Sequence, residues 1–558
     1  MQNTSEGNSR KFKIIGLGAA ALVLVAAIVL AVIMLSNPHL AVPGKYRTIQ
    51  SAIDAAKDGD VIIVQPGVYY EQIDFMGKNI ILQSSDPEDA EIVASTVIDG
   101  RKRSSVVTFR SGEGSGAVLS GFTITGGVGT REKVSQVIDD EEFVDEGLFG
   151  GGIFITGGSS PTIINNVIKG NQVDKDGGGI AIHDNSNPMI RNNIIEANRA
   201  FNGGGITILK SSPLIDSNVI RDNMANFNGG AIMVDFEASP SIGANEIHNN
   251  SSTNGGAIAV WYADPLIAAN KIYRNSAIWF GGGIALFDSF PTIDNNDISR
   301  NSAVNNGGGI AVVEKSEAVI TNNVISNNYS DENGGGIAVL EKSAATINDN
   351  IISDNAVLAG GGGIYVSDSK ADLSGNNISK NLVQRDGGGV AAINSSTLTL
   401  VNNIIDNNRA GFLGGGLVVA GDTTVTMEDN IVNGNMANAG GAMIVQRSSV
   451  TLNRNTITDN IAADGSGGGV LVVAGSTAMV TGNTFISNFA LELGGALVAY
   501  DGSTVTLRGN DFVGNEAMLG GSFIAIGDAV VDVGDPDDNT YTGNIPDDVE
   551  EEEAEEEE

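Results

Sequence analysis

Short stretches of alternating apolar and polar residues run along most of the chain, separated by glycine, asparagine, serine and proline. A Gly-Gly-Gly, Gly-Gly-Ala or Gly-Gly-Ser triplet followed by a branched or bulky apolar residue occurs fifteen times, at steps of 26 or 27 residues. The triplets begin at Gly150, Gly177, Gly203, Gly229, Gly255, Gly281, Gly307, Gly334, Gly361, Gly387, Gly414, Gly440, Gly467, Gly494 and Gly520. A fixed period of this size predicts a solenoid, in which each repeat buries its apolar face against its neighbours.

A second signature, Asn-x-Ile-x-x-Asn, follows the triplet, with Val or Phe replacing Ile in some copies. It occurs fourteen times between Asn166 and Asn515. Another apolar segment, such as Leu214 and Ile215, lies between the two signatures. Alternation with a period of two indicates strands, and no repeat contains a helical pattern. Three short strands per repeat predict one coil of a single-stranded parallel β-helix, with coils about 4.8 Å apart.

The repeated glycines and asparagines are explained by this scaffold. Glycine adopts positive φ and lets the backbone of one coil pass close to the next. Asparagine tolerates left-handed corners, and identical side chains stacked coil upon coil form amide ladders. We therefore assign these residues to structure.

The N-terminal region predicts a membrane anchor. Residues 14–35 are 22 residues without a charged side chain, long enough as a helix to cross a bilayer. Arg10, Lys11 and Lys13 precede this segment, so residues 1–13 are expected in the cytoplasm and the solenoid outside it. The segment is longer than the apolar region of a signal peptide. This length favours an uncleaved transmembrane anchor over a cleaved signal peptide. Residues 36–44 are then a linker.

Residues 45–127 predict a cap followed by irregular coils. Thr48 is a plausible N-cap for a short helix with Ile49, Ala52 and Ile53 on one face, and this helix would close the open end of the first coil. The helix-then-strand opening resembles the start of right-handed parallel β-helix proteins of the pectin-lyase-like superfamily. The Gly-Gly-Ala-Ile segments at 229–232 and 255–258, with the repeat segments at 485–488 and 512–515, are similar to passenger repeats of polymorphic outer-membrane autotransporters.

The resemblance covers about residues 45–535 and implies the fold rather than an activity, because this fold serves lyases, hydrolases, adhesins and tailspikes. Autotransporters end in a membrane β-barrel, whereas this chain ends in residues 535–558, an acidic stretch expected to be a disordered tail. Residues 128–149 interrupt the pattern before the regular repeats of residues 150–534. This acidic insertion is interpreted either as a binding loop or as a solvated loop over the joint.

Composition limits the partners. The chain has 67 acidic and 31 basic residues, and the net charge of −36 argues against nucleic acid. Acidity is compatible with weak binding of divalent cations such as Ca²⁺, and no other cofactor is expected. The absence of cysteine excludes disulfide and thiol chemistry.

No catalytic or metal-binding constellation stands out. The three histidines, His39, His183 and His248, are far apart in sequence. The superfamily resemblance implies paired aspartates and a Gly-His-Gly stretch for a polygalacturonase-like hydrolase, and neither occurs. It implies clustered carboxylates with a basic residue for a lyase. The candidates for this alternative are Asp235, Glu237, Asp264, Lys271 and Arg274.

The strand after each glycine triplet predicts a ligand-binding surface. Its first and third residues should point inward and its second and fourth outward. The fourth column reads His183, Leu209, Asp235, Trp261, Phe287, Val313 and Leu340, an apolar stripe on an acidic protein. Its aromatic rings beside carboxylates would suit a sugar chain. The predicted ligand-binding residues are Asp235, Trp261, Asp264, Phe287 and Asp288.

These features favour a membrane-anchored cell-surface protein whose β-helix binds glycans or other surfaces without catalysis, as an adhesin does. One alternative is a polysaccharide lyase or glycoside hydrolase. Another is a structural envelope component whose rods self-associate side by side. The apolar stripe of the fourth column also has a competing interpretation: it packs against another rod, or the acidic insertion covers it.

Overall fold

The computed structural model describes residues 40–138, 141–535, 537–546 and 550–551. Each regular coil contributes short strands to parallel sheets, which we number I to IV in the order in which the chain reaches them after a glycine triplet. Strands pair with the equivalent strand one coil away, for example Ile206 with Ile232, and Ile232 with Ile258. This arrangement confirms the all-β parallel solenoid.

Sheets I and II meet at the corner that follows each glycine-triplet strand. The strands of sheet I are Ile73–Asp74, Val107–Phe109, Ile153–Ile155, Ile180–Ile182, Ile206–Leu209, Ile232–Asp235, Ile258–Trp261, Ile284–Phe287, Ile310–Val313, Ile337–Leu340, Ile364–Ser367, Val390–Ile393, Leu417–Ala420, Met443–Gln446, Val470–Val473, Leu497–Tyr500, Phe523–Ile526 and Glu550–Glu551. The 19 strands of sheet II are Leu40–Val42, Val61–Val64, Ile81–Ser84, Val118–Ser120, Thr162–Ile164, Met189–Arg191, Leu214–Asp216, Ser241–Gly243, Leu266–Ala268, Thr292–Asp294, Glu317–Thr321, Ala344–Asn348, Lys370–Ser374, Thr397–Val401, Thr424–Glu428, Ser449–Asn453, Thr477–Thr481, Thr504–Arg508 and Val530–Asp532.

Sheets III and IV complete the coil. The strands of sheet III are Gly67–Tyr69, Thr96–Asp99, Thr123–Thr125, Val167–Lys169, Ile194–Glu196, Val219–Arg221, Glu246–His248, Lys271–Tyr273, Asp297–Ser299, Val324–Ser326, Ile351–Ser353, Asn377–Ser379, Ile404–Asp406, Ile431–Asn433, Thr456–Thr458, Thr484–Ile486, Asp511–Val513 and Thr540–Thr542. The 12 two-residue strands of sheet IV are Arg199–Ala200, Met224–Ala225, Ser251–Ser252, Ser276–Ala277, Ser302–Ala303, Tyr329–Ser330, Ala356–Val357, Leu382–Val383, Arg409–Ala410, Met436–Ala437, Ile461–Ala462 and Phe489–Ala490. Sheet IV is an additional strand position that the sequence pattern did not predict.

Two short helices lie among the irregular N-terminal coils. Helix α1 is Ile49–Ala55, and the Thr48 side chain accepts a hydrogen bond from the Ser51 backbone N–H at its N-terminus. Its Ile49, Ala52 and Ile53 side chains are buried in the main core. Helix α2 is Ala90–Ser95, which leads directly into the sheet III strand that begins at Thr96.

The insertion before the first triplet folds as an antiparallel hairpin rather than a loop. Its strands are Thr130–Ile138 and Glu141–Phe149, with Thr130 opposite Phe149. Val134 and Phe149 pack against Phe154 and Ala181 on the outer side of sheet I. The base of the hairpin is therefore part of the packed structure.

The β-helix extends further at both ends than the sequence boundaries indicated. Leu40–Val42, in the predicted linker, pairs with Val61–Val64. Thr540–Thr542, in the predicted acidic tail, pairs with Asp511–Val513. Residues 14–35 lie outside the described residues, so the membrane helix stays a prediction. Within the described part of the chain, no helix has the length and apolar character to cross a bilayer.

The main core runs along the inside of the coils. In the sheet I strands from Ile153–Ile155 to Leu497–Tyr500 the first and third residues point into it, as predicted, and Ile206 and Ile208 are fully buried. The central residues of the sheet II and sheet III strands, such as Ile215 and Ile220, fill the rest. One continuous column of branched side chains therefore supports the rod.

The repeated asparagines form two buried amide ladders, as the sequence predicted. Asn301 shows the pattern: its Nδ2 donates to the Ile272 carbonyl at 2.9 Å and to Asn328 Oδ1 at 3.1 Å. Its Oδ1 accepts from the backbone N–H and the Nδ2 of Asn275, both at 3.0 Å. The ladders continue to Asn539 and Asn544. Each side chain thus satisfies backbone groups that the corners of the coil leave unpaired.

The outward face of sheet I is covered by the chain itself. The first glycine of each triplet has positive φ, and a Cβ on Gly281 would lie 2.1 Å from the Ile284 carbonyl oxygen. This close turn brings the residue before the triplet over the strand that follows. A second hydrophobic layer results, which we call the outer layer. It contains Ala285, Phe287, Ala311, Val313, Ala338, Leu340, Tyr365, Ala391, Val418, Ile444, Leu471, Val498 and Ile524.

Candidate functional site

The predicted aromatic pair lies in the outer layer. Phe287 is only 2% exposed, and Trp261 is partly buried against the same cluster. Their rings stack with centroids 4.3 Å apart, and Phe280 packs edge-on to Phe287 at 6.0 Å. The expectation that the fourth column forms a solvent-exposed stripe is therefore wrong at His183, Leu209, Phe287, Val313 and Leu340, which are all buried. At Phe287 the physical reason is that Phe280, the residue before the triplet, covers the strand. Leu209 instead shares a buried cluster with Val134 and Phe149 of the acidic insertion.

Asp235 occupies the fourth column one coil before Trp261. Its carboxyl group is surrounded by protein, although part of the residue reaches the surface. Burial, and secondarily the charge of Asp176, raises the pKa of Asp235 to about 7, while the backbone N–H of Phe236 acts in the opposite direction. A carboxyl group in these surroundings favours its neutral form and is a poor electrostatic partner for a ligand.

The other two predicted carboxylates lie at the corner between sheets I and II. Asp264 is exposed, and Asp288 is half-buried. Asp288 lines a depression of about 380 Å³ together with Glu314, Lys315, Glu341, Lys342 and Asp368. Burial, with the charges of Glu341 and Asp288, raises the pKa of Glu314. Two successive coils each place a glutamate next to a lysine at this corner, as Glu314–Lys315 and Glu341–Lys342, so side chains of both signs line the depression.

The lyase candidates are not brought together. Asp235 lies on sheet I and Asp264 in the corner after it, whereas Lys271 is in a strand of sheet III and Arg274 follows that strand. The carboxylates and the basic groups therefore lie on different sheets. Within the described ranges, no group of three or more histidine, cysteine, aspartate or glutamate side chains is arranged to hold a metal ion. Weak calcium binding stays a prediction.

Two of the three histidines lie in the described structure, and they are far apart in the coil. His183 is buried on the outer side of sheet I, with the edges of Phe149 and Phe154 at 5.0 and 5.4 Å. Burial lowers its pKa to about 4, although Asp184 acts in the opposite direction. His248 is in sheet III and stacks on Tyr273 at 4.8 Å. Neither is placed beside the predicted ligand-binding residues of sheet I.

A different aromatic surface is exposed on the sheet IV side of the rod. We call Phe201, Phe227 and Trp279 the aromatic row. Phe201 and Trp279 are 42% and 46% exposed. Phe227 stacks on Phe201 with centroids 5.8 Å apart, and Trp279 meets Phe227 edge-on at 6.3 Å. The row therefore presents aromatic surface to solvent along the direction in which the coils stack.

A shallow groove of about 480 Å³ adjoins the aromatic row. It is lined by Met224, Ala225, Asn226, Ser251, Ser252, Thr253, Ser276, Ala277, Ile278, Ser302, Ala303, Val304, Tyr329 and Asp331. Thr253 links the two features: its N–H donates to the Phe227 carbonyl at 3.0 Å, and its carbonyl accepts from the Trp279 N–H at 2.8 Å. The row and the groove thus form one continuous surface across six coils.

A signal for this surface was present in the sequence. Phe201, Phe227 and Trp279 each lie two residues before a glycine triplet, at Gly203, Gly229 and Gly281. None of the three is among the residues predicted to bind a ligand. Period-two alternation identifies inward and outward positions within a strand, but it does not reveal which outward positions another part of the same coil covers.

Comparisons with known proteins agree with this architecture. The family described as "Right handed beta helix region" matches residues 80–234, 216–330, 298–457, 335–512 and 437–533. No curated protein sequence matches the chain. These comparisons do not show the similarity to autotransporter repeats.

One similar solved structure is a mutant of the PL6 family alginate lyase AlyGC. It is 11% identical, covers 90% of this chain and 99% of its own, and has a TM-score of 0.20. A likeness at this level carries no inference about activity. The family match extends over most of the coils described above, and on that ground the chain belongs to the right-handed β-helix family.

Proposed function

We propose that the protein is a non-catalytic, glycan-binding β-helix whose ligand lies on the aromatic row and the adjoining groove. The observation that carries the proposal is a row of three contacting aromatic side chains, with Phe201 and Trp279 exposed and Phe227 half-buried, beside a groove of small polar residues. Large apolar side chains that remain exposed in a contiguous patch mark interaction surfaces. The ligand-binding residues are therefore Phe201, Phe227 and Trp279, and not Trp261 and Phe287, which belong to the outer layer.

Sugars match the chemistry of this surface. A pyranose ring presents C–H groups on its faces and hydroxyl groups around its edge, so it packs on aromatic rings and forms hydrogen bonds with polar neighbours. Trp279 supplies the largest ring, and the serines and Thr253 supply hydroxyl groups. The long, shallow form of the groove suits an extended polymer better than a small enclosed substrate.

Catalytic cleavage of a polysaccharide is the less supported alternative. Its candidate residues Asp235 and Lys271 lie on different sheets, and the raised pKa of Asp235 keeps that carboxyl group largely neutral below about pH 7. Neither residue lines the groove. Incubation of the protein with polysaccharides tests this alternative directly, since unsaturated or reducing ends would accumulate if cleavage occurred.

Anchoring at a membrane is part of the proposal. Residues 14–35 form the transmembrane helix and place the rod outside the cytoplasm, because three basic residues precede the segment. Helix α1 closes the first coil, an assignment supported by the burial of its apolar face in the main core. Side-by-side association of rods is an additional proposal, which sedimentation of the full-length protein tests.

The binding proposal is tested with full-length protein in a detergent that carries no sugar. Replacement of Phe201 and Trp279 by alanine should weaken binding of polysaccharides by at least tenfold, because stacking on both rings is removed. The matched control replaces Phe290 and Phe412, which are similarly exposed but lie away from the groove. Equal affinities for the two double variants would refute the proposed site.

A further inference from the structure

The floor of the groove contains an uninterrupted column of hydroxyl groups. Ser251 pairs with Ser276, and Ser276 pairs with Ser302, as the first residues of successive sheet IV strands. Within the described structure, none of these three hydroxyl groups forms a hydrogen bond with the protein. Because parallel strands are about 4.8 Å apart, the column offers one free donor and acceptor per coil.

Apolar and aromatic side chains bound this column. Met224 precedes it and Tyr329 follows it in the same register. Ile278 and Val304 line the groove and are exposed. The Tyr329 hydroxyl donates to Asp331 Oδ1 at 2.7 Å, which fixes the position of the ring. The groove therefore combines a column of hydroxyl groups that can form hydrogen bonds with apolar surface at its ends and side.

The charge of the groove separates classes of polysaccharide. Its lining includes one charged residue, Asp331, and contains neither lysine nor arginine. A polyuronate brings one negative charge per sugar and would meet a net charge of −36 without a local cation to compensate it. Neutral hydroxyl-rich chains lose no comparable solvation and meet no repulsion.

We infer, on the basis of the proposed function, that the groove binds a neutral polysaccharide chain parallel to the rod axis, with about one sugar per coil. The hydroxyl groups of Ser251, Ser276 and Ser302 form hydrogen bonds with successive sugars, and the aromatic row packs against the adjoining part of the chain. The coil spacing of about 4.8 Å is close to the length of one sugar ring, so neighbouring sugars meet equivalent positions. The groove volume of about 480 Å³ is sufficient for a short run of sugars.

The test measures binding of a neutral glucan, mannan and galactan, and of polygalacturonate and alginate, to the full-length protein. A neutral chain should bind with an affinity that changes little between low and high salt, since no ion pair is involved. The Ser251→Ala/Ser276→Ala/Ser302→Ala variant should bind it at least tenfold more weakly. The matched control is Thr424→Ala/Thr477→Ala/Thr504→Ala, which removes three exposed hydroxyl groups from one column of sheet II and keeps Ser449 between Thr424 and Thr477.

The outcomes separate this inference from the proposed function. Tighter, salt-dependent binding of a polyuronate would overturn the neutral-chain inference but keep the glycan-binding function. The same holds if the triple serine variant binds as well as the control while the Phe201 and Trp279 double variant does not. Failure of every polysaccharide to bind would overturn both. Circular dichroism and thermal melting verify folding, and Ser276→Ala alone repeats the test with the smallest change.

Discussion

The indole ring of Trp261 lies on the phenyl ring of Phe287, with an interplanar angle of 20° between side chains from adjacent coils. The ring centroids are 4.3 Å apart, and stacking of two aromatic rings at such a short separation is favourable. Phe287 is covered on its other side by Phe280. The pair therefore joins three neighbouring segments into the outer layer, and its principal effect is on stability.

Phe287→Ala should lower the free energy of unfolding by about 3–5 kcal/mol, the usual cost of emptying a buried phenylalanine site. Phe290 lies three residues later and its side chain is exposed, so Phe290→Ala should change the free energy of unfolding by less than about 0.5 kcal/mol. Thermal melting and limited proteolysis measure both. Equal melting temperatures for the two variants would show that the outer layer adds little to stability.

Asp235→Asn should stabilise the protein near neutral pH. The folded pKa of Asp235 is raised to about 7, above an unfolded value of about 3.9, so the folded state holds a proton that the unfolded state releases. Stability of the natural protein is therefore lost as pH rises from about 4 to about 7, on the order of 4 kcal/mol at full effect. The advantage of the variant should grow over this interval and level off above pH 7.

The exposed Asp264, in the same part of the rod, provides the control for this titration. Denaturant melts of Asp264→Asn at several pH values should follow the natural protein. A constant difference between Asp235→Asn and the natural protein from pH 4 to pH 8 would contradict the assignment of the titration to Asp235.

His183→Leu should stabilise the protein at acidic pH. Burial lowers the folded pKa of His183 to about 4, below an unfolded value of about 6.5, so the unfolded state takes up the proton first. Stability is therefore fully present above about pH 6.5 and is lost as pH falls towards 4, with a cost on the order of 3 kcal/mol. The charged groups near this side chain include Asp184, and the apolar neighbours are Phe149 and Phe154.

The readout for His183 is the difference in melting temperature between pH 7.5 and pH 5. His248→Leu is the matched control, since that ring is only partly buried and stacks on Tyr273 at the surface of sheet III. The difference should shrink more in His183→Leu than in His248→Leu, because partial burial lowers the pKa of His248 as well. An unchanged difference in both would exclude His183 as the responsible group.

Asn301→Ala should destabilise the coils on both sides of the substitution. It removes the acceptor of the Asn275 backbone N–H and one acceptor of Asn275 Nδ2, together with the amide donor to the Ile272 carbonyl and to Asn328 Oδ1. A loss of about 2–3 kcal/mol follows from the usual cost of leaving buried backbone groups unpaired. In Asn301→Ala, amide hydrogens around Asn275 and Asn328 should exchange faster than in the natural protein. Thr477→Ala, on the exposed face of sheet II, should leave the exchange rates unchanged. Unchanged protection would refute the structural role of the ladder.

Much of the fold was predictable because its signals are local and repeated. The inward column of Ile206 and Ile208 follows from alternation along a strand, and the amide ladders follow from the recurrence of asparagine at a fixed period. The fourth column was also predicted to point away from the main core, which it does. Burial of that column was not predictable in the same way, since it depends on the path of the residues before each triplet.

The candidate site shows the same limit. Alternation along the strands correctly places Trp261 and Phe287 on the outward side. The turn at Gly281, which has positive φ, then brings Phe280 against Phe287 and covers it. Trp279, one residue earlier, projects into solvent instead. The difference between adjacent residues is decided by the three-dimensional course of the turn, which neither composition nor spacing specifies.

The uniform direction of the two amide ladders has a consequence for how such a protein evolves. Every coil accepts from the coil before it and donates to the coil after it, as Asn301 does between Asn275 and Asn328. A duplicated or deleted coil therefore restores the same junction wherever it occurs, and the length of the rod is free to drift by whole units. Coils in the groove do not share this freedom, because an inserted or deleted coil would separate Ser251, Ser276 and Ser302, which lie side by side on three successive coils. Related sequences should vary in the number of coils outside this region and keep their number within it.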